Sequence, residues 1–143
     1  MPARRIVATT FLLLAGCSGF APGDREADSM STVTGTVTYR ERIALPPTAV
    51  VKVQLADVSR ADAPAIVLGD EIIRTEGRQV PFAFTIEYDP ARIDPRFTYV
   101  IQARIEDGDK LLFISDRSYP VITRGAPTQV DLVLRSVGDP RGR

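Results

Sequence analysis

Apolar and polar side chains alternate with a period of two through most of the chain between residues 32 and 137. Five stretches carry this alternation clearly: "VTGTVTYRER", "AVVKVQLADV", "VPFAFTIEYD", "FTYVIQARIED" and "TQVDLVLRSV". Because successive side chains of a strand point to opposite faces, each stretch predicts a strand with one buried and one solvated face. The residues predicted to face inward are Val33, Gly35, Val37, Tyr39, Val51, Val53, Leu55, Phe82, Phe84, Ile86, Tyr88, Phe97, Tyr99, Ile101, Ala103, Ile105, Val130, Leu132 and Leu134.

Turn-forming residues separate these stretches. Two consecutive prolines, Pro46 and Pro47, mark one turn. Asp107-Gly108 lies between two apolar runs and predicts a hairpin. A short helical turn is predicted from Pro90 to Ile93, where proline can open a turn. Residues 65–75 and 110–115 are weaker strand candidates, and residues 115–119 are interpreted as a polar loop. The pattern predicts an all-β fold, a compact antiparallel β-sandwich or partly closed barrel of about seven short strands.

The amino terminus has a different pattern. Two arginines precede an apolar run, residues 6–14, of about half the length that a membrane-spanning helix needs. Such a run is typical of a secretory signal. The order Leu14-Ala15-Gly16-Cys17 then resembles the lipobox of bacterial lipoproteins. This resemblance implies cleavage before Cys17 and acylation of Cys17, and Ser18 in the next position implies sorting to the outer membrane.

These signals divide the chain into four predicted parts. Residues 1–16 are interpreted as a lipoprotein signal peptide, and residues 17–31 as a lipidated flexible tether rich in small and polar residues. Residues 32–137 are predicted to form the β-sandwich domain, and residues 138–143 a loose tail. A plain signal peptide with a cysteine nearby by chance is the alternative interpretation of the first part.

The composition excludes several classes of function. The chain has 18 basic and 18 acidic residues and no polybasic block, so no nucleic-acid partner is indicated. It has no histidine, so the usual general base at neutral pH is missing, and its single cysteine allows neither an intramolecular disulfide nor a thiolate metal site. We predict no catalytic residues, no metal and no cofactor, and we expect that the protein is not an enzyme.

Carboxylate clusters are the remaining chemical candidates. Asp89 and Asp94 lie five residues apart and could in principle form an acid pair, although Asp-Pro is also an ordinary turn sequence. Asp107 and Asp109 could begin a calcium loop, but Lys110 and Leu111 follow them, and a hairpin turn is the favoured interpretation. The aromatic side chains are interpreted as core, with the lining of a ligand cavity as the alternative.

The stretch "YRERIALPP" is the candidate partner-binding surface. A charged strand end leads here into an apolar loop that is bounded by proline, which could receive a partner peptide. The candidate residues are Tyr39, Arg40, Ile43, Leu45, Pro46 and Pro47. The alternative is that Ile43 and Leu45 cover one open end of the sandwich.

Several stretches together are similar to the YbaY/YscW family of envelope lipoproteins, which is named for type III secretion lipoprotein chaperones, or pilotins. They are "GTVTYRERIALPP", "VQLADVSRADAPA", "PFAFTIEYDPARIDPRFTYVIQARI", "LLFISDRSYPVITRG" and "DLVLRS". The resemblance implies a compact β-sandwich without a catalytic signature, and it transfers a role to Cys17 alone.

Pilotin members of that family escort a secretin to the outer membrane. The resemblance therefore implies a non-enzymatic chaperone or assembly factor that a lipid on Cys17 anchors to the outer membrane, facing the periplasm, with an envelope protein such as a secretin as partner. The alternative is a periplasm-facing module that binds a hydrophobic small molecule or a glycan. The sequence leaves the oligomeric state open.

Overall fold

The computed structural model describes residues 29–138, and the predictions for residues 1–28 and 139–143 lie outside this range. Eight strands and one short 3-10 helix, Pro90–Arg92, make up the described chain. The strands are β1 (Ser31–Tyr39), β2 (Val50–Asp57), β3 (Ile66–Arg74), β4 (Phe82–Tyr88), β5 (Tyr99–Asp107), β6 (Lys110–Ile114), β7 (Tyr119–Val121) and β8 (Gln129–Ser136). The predicted all-β fold is confirmed.

The strands form two layers that continue into each other. One layer has the order β4-β1-β8, and the other has the order β3-β2-β5-β6, with β7 pairing β5 beyond the end of β6. A short pairing of β6 with β8 joins the layers on one side. On the other side β3 approaches β4, where the Glu71 carboxylate accepts a hydrogen bond of 2.6 Å from the backbone N–H of Thr85. The sandwich is therefore a nearly closed, barrel-like sheet.

One pair of strands departs from the expected antiparallel arrangement. β1 and β8 run parallel, with Gly35 opposite Val130 and Tyr39 opposite Leu134. The alternation of side chains is the same in parallel and antiparallel strands, so the pattern alone does not distinguish them.

The space between the layers is filled by the inward faces of the strands. The core consists of Val33, Val37, Tyr39, Leu45, Ala49, Val51, Val53, Leu55, Phe82, Phe84, Ile86, Tyr88, Tyr99, Ile101, Ala103, Ile105, Phe113, Val121, Leu132 and Leu134. Five aromatic side chains that could have lined a cavity, namely those of Phe82, Phe84, Tyr88, Tyr99 and Phe113, are buried in this cluster. Each buries a large apolar area, so they contribute much of the packing.

Two local predictions were wrong. Phe97 was expected to face inward at the start of a strand, but β5 begins at Tyr99 and the Phe97 side chain is exposed. Tyr119 was assigned to a polar loop, but it begins the three-residue strand β7. A strand of this length is too short for an alternating pattern to be recognised.

The predicted helical turn is present as the 3-10 helix, where the Asp89 carboxylate accepts from the N–H of Ala91.

Candidate partner-binding surface

The end of β1 is fixed by an aromatic stack. The ring of Tyr39 lies parallel to that of Phe113, with centroids 4.1 Å apart, and is 7% exposed. Its hydroxyl donates a 2.6 Å hydrogen bond to the carbonyl of Ile43. Burial raises the pKa of the Tyr39 phenol, and the nearby negative charge of Glu41 raises it further. The phenol therefore remains a protonated donor at neutral pH and holds the first turn of the loop against the sandwich.

A glutamine from another loop fixes the middle of this segment. The Gln79 carboxamide accepts from the Leu45 N–H at 2.7 Å and donates to the Leu45 carbonyl at 3.2 Å. The Leu45 side chain is 4% exposed and belongs to the core. The Pro46 carbonyl accepts from the N–H of Ala49 at 3.0 Å, and the hydroxyl of the buried Thr75 lies 3.4 Å from it.

The six candidate residues therefore divide into two groups. Tyr39 and Leu45 point into the core and support the loop from inside. Arg40, Ile43 and Pro47 are exposed, and Pro46 is partly buried. A partner could contact only this second group, in which Ile43 is 59% exposed. The chain thus places an apolar side chain on a loop that buried contacts hold in position.

A shallow groove of about 400 Å³ begins beside Arg40. Residues that are distant in the sequence line it: Arg40, Glu41, Asp116, Arg117, Val133, Leu134 and Arg135. Glu41 connects its two sides, because its carboxylate accepts from the backbone N–H of Arg40 and from that of Ser136, each at 3.1 Å. Sequence reasoning missed this groove, since Asp116 and Arg117 lie in a segment interpreted only as a polar loop.

A second groove of about 450 Å³ continues from the first across the outer face of β2 and β5. Lys52 and Arg104 line it, and both contact the carboxylate of Glu106, at 2.6 and 2.8 Å. The hydrogen bond from Lys52 lowers the pKa of Glu106, and the charges of Arg104 and Lys52 lower it further. The wall opposite β2 is formed by residues 115–118, which leave the sheet between β6 and β7.

The carboxylate candidates serve local structure. Asp107 accepts a 2.6 Å hydrogen bond from the hydroxyl of Thr48, and the turn after it has Gly108 at φ 59°. Asp94 forms an ion pair of 2.7 Å with Arg96. Within residues 29–138, no group of three or more acidic, cysteine or histidine side chains is placed to hold a metal ion.

The candidate surface lies at the end of the sandwich where β1 finishes, which we call the distal end. The chain enters β1 at the opposite, proximal end, where Ser31 pairs with Tyr88. Nine residues of β1 at about 3.3 Å per residue place the two ends roughly 26 Å apart. A membrane anchor that precedes β1 would therefore be attached at the end away from the candidate surface.

Comparison with known proteins identifies the family. The model of the type III secretion system lipoprotein chaperone family, YscW, matches residues 28–134, which is more than half of the chain. The chain belongs to the YscW family. The similarity that its sequence motifs indicated is thus confirmed, and membership in a family of lipoprotein chaperones agrees with the expectation that the protein is not an enzyme.

Two relatives of this YscW-family chain are informative. It is 47% identical over 102 residues to a protein of Escherichia coli (strain K12) that is named uncharacterized lipoprotein YbaY. This match covers 71% of the chain and 53% of YbaY, so the chain spans about half the length of that curated relative. A solved structure of an alternative pilotin from the type II secretion system of Vibrio cholerae is 48% identical, with a TM-score of 0.73, and the match covers 76% of this chain and 97% of the pilotin chain.

Residues 29–138 contain no apolar helix of membrane-spanning length. The lipobox residues Leu14, Ala15, Gly16 and Cys17 lie outside the described residues, so their predicted role is not tested by the structure.

Proposed function

We propose that the protein is an outer-membrane lipoprotein, anchored through Cys17, that acts as a pilotin-like chaperone of a secretin-type envelope protein. The observation that carries the proposal is the match to the Vibrio cholerae pilotin, which extends over 97% of the pilotin chain at 48% identity. The whole folded domain of that pilotin is thus shared, and not only a part of its sheet.

The position of the candidate surface supports this function. Arg40, Ile43 and Pro47 lie at the distal end, and the segment leading to Cys17 leaves from the proximal end. In an anchored molecule the distal end is the end farther from the point of attachment, where a periplasmic partner can reach it. A partner would bind there beside the groove of about 400 Å³, with Ile43 as the apolar contact. The three arginines that line the groove, Arg40, Arg117 and Arg135, would be polar contacts.

Anchoring supplies the physical basis of the chaperone role. Each buried methylene of an acyl chain contributes about 0.8 kcal/mol, so two or three chains hold a small domain at the bilayer where one chain binds only marginally. A partner bound to the anchored domain is then confined near the membrane. Its effective concentration there rises without any new contact.

Two measurements test the two halves of the proposal. For the anchor, metabolic labelling with palmitate is expected to mark the wild-type protein and not Cys17→Ser, and Cys17→Ser is expected to leave the membrane fraction. Membrane retention of an unlabelled Cys17→Ser protein would contradict anchoring through that residue.

For the surface, Ile43→Asp is expected to reduce recovery of a secretin by crosslinking in cells. Ile72→Asp is the matched control, because Ile72 is also 59% exposed but lies on β3, outside the candidate surface. Equal loss with both variants, or no loss with Ile43→Asp, would overturn the assignment of the surface.

A further inference from the structure

Phe97 is an exposed aromatic residue whose backbone is held rigidly at the proximal end. Its N–H donates to the carbonyl of Asp94 at 3.0 Å, and its carbonyl accepts from the hydroxyl of Thr123 at 2.7 Å. The next residue, Thr98, donates its N–H to the Ser59 hydroxyl at 2.8 Å. Three loops thus fix the position of Phe97, and its side chain is nevertheless 36% exposed.

The neighbouring aromatic residue explains why the ring remains outside. Tyr99 occupies the inward position at the start of β5 and is almost fully buried. Its hydroxyl accepts from the N–H of Asp94 at 2.9 Å, which fixes the loop before Phe97. The inward site is therefore filled, and the Phe97 ring lies on the surface of the proximal end.

Two arginine side chains, Arg96 and Arg124, line the same surface depression as this ring. The Arg96 guanidinium lies 5.9 Å from the centroid of the Phe97 ring, and the Arg124 guanidinium donates to the carbonyl of Arg96 at 2.9 Å. Arg124 reaches this position from a strained turn in which Ile122 has φ 72° and the Thr123 N–H donates to the Val121 carbonyl at 2.8 Å. A β-branched residue rarely adopts this conformation, so the surrounding structure must hold it there.

The preceding chain shows what this cluster would face. Met30, which is half exposed, and Ser31 at the start of β1 lie at the proximal end, beside Tyr88 at the end of β4. Eleven residues separate Cys17 from Ser29, and even a fully extended chain over these twelve Cα–Cα steps spans at most about 43 Å. If Cys17 carries a lipid, the proximal end is the part of the domain that the chain holds nearest to the bilayer.

We propose that Arg96, Phe97 and Arg124 form a membrane-docking cluster that rests on the lipid headgroups. The Phe97 ring enters the interfacial region. Arg96, which also pairs with the Asp94 carboxylate at 2.7 Å, and Arg124, which also donates to the Arg96 carbonyl, bind lipid phosphates through their other N–H groups. This inference rests on the acylation of Cys17 in the proposed function. Docking would orient the domain, so that its distal surface is presented away from the bilayer and not toward it.

The absence of tryptophan from the sequence allows a direct test. Phe97→Trp introduces a single tryptophan into the cluster, which can be excited selectively over the four tyrosines. Ile43→Trp places the matched reporter on the exposed distal surface. Each acylated protein is reconstituted into vesicles of phosphatidylethanolamine and phosphatidylglycerol, with and without bromine on the acyl chains. We expect bromine to quench the emission of Phe97→Trp and to leave that of Ile43→Trp unchanged.

The outcomes separate docking from anchoring. An acylated Phe97→Trp protein whose emission bromine does not quench, or quenches no more than that of Ile43→Trp, overturns the docking proposal while the anchor stands. A protein that palmitate does not label overturns the anchor itself.

Arg124→Ser in the Phe97→Trp background is expected to reduce quenching, and unchanged quenching would remove Arg124 from the cluster. Should Phe97→Trp fail to fold, Met30→Trp carries the reporter at the proximal end without removing a residue of the cluster, with the same two outcomes.

Discussion

Replacing Gly35 with alanine is expected to separate the first and last strands of the sandwich. Gly35 faces the core from β1, directly opposite Val130 of the parallel strand β8. A Cβ atom on Gly35 would lie 1.7 Å from the carbonyl oxygen of Val130 and 2.9 Å from the tip of the Phe84 ring. The first of these atoms is backbone, so it cannot move away by a change of rotamer.

The structure sets the size of the effect. Ordinary contact of a Cβ atom begins at 3.4 Å, so the two strands must move apart by the difference, about 1.7 Å. A hydrogen bond of about 2.9 Å that is stretched by this amount is lost. Losing one or two ladder bonds at about 1 kcal/mol each, together with about 1–3 kcal/mol for overpacking, gives a destabilisation of roughly 3 kcal/mol. For a domain of this size the melting temperature should fall by roughly 10–20 °C.

The assay is urea and thermal unfolding followed by circular dichroism on wild type, Gly35→Ala and Gly138→Ala. Gly138 is the control, because a Cβ atom there would meet nothing within 4 Å, and its variant should stay within about 0.5 kcal/mol of wild type. If Gly35→Ala matched Gly138→Ala in stability, β1 and β8 would not approach each other as closely as the structure places them, and the reasoning would be refuted.

Two further predictions concern the loops at either end. The hydrogen bond from Arg96 lowers the pKa of Asp94 from 3.8 to about 2; the pair therefore stabilises the fold above the unfolded pKa of Asp94 and loses this effect as the pH falls toward 2. In Arg96→Gln, NMR titration of the Asp94 carboxyl should show its pKa raised toward 3.8 but still below it, because the backbone N–H of residue 96 continues to donate to the carboxylate. An unchanged value would contradict the assigned cause. Gln79→Ala leaves both backbone groups of Leu45 without this partner and should cost about 1–3 kcal/mol in unfolding free energy. Amide exchange of Leu45 should accelerate in that variant, and exchange at the wild-type rate would show that Gln79 does not hold the loop.

Short-range information in the chain was sufficient to predict the strands other than β7, and most of their buried faces. Val33, Val37, Ile101 and Leu132 are core residues as their alternation predicts, because the pleat of a strand depends only on neighbouring residues. The same local reasoning found the loop after Tyr39, since its apolar and proline residues are consecutive. The segment near Cys17 was likewise interpreted from adjacent residues alone.

Only the tertiary structure decided which of these residues reach the surface and what they lie beside. The parallel pairing of Gly35 with Val130 and the support of Leu45 by Gln79 join residues far apart in the sequence. Phe97 continues the alternating pattern and still lies outside, because Tyr99 fills the inward position and bonds from three loops hold the backbone beside it. Such choices depend on competition for space between distant segments, and a pattern with a period of two contains no information about that competition.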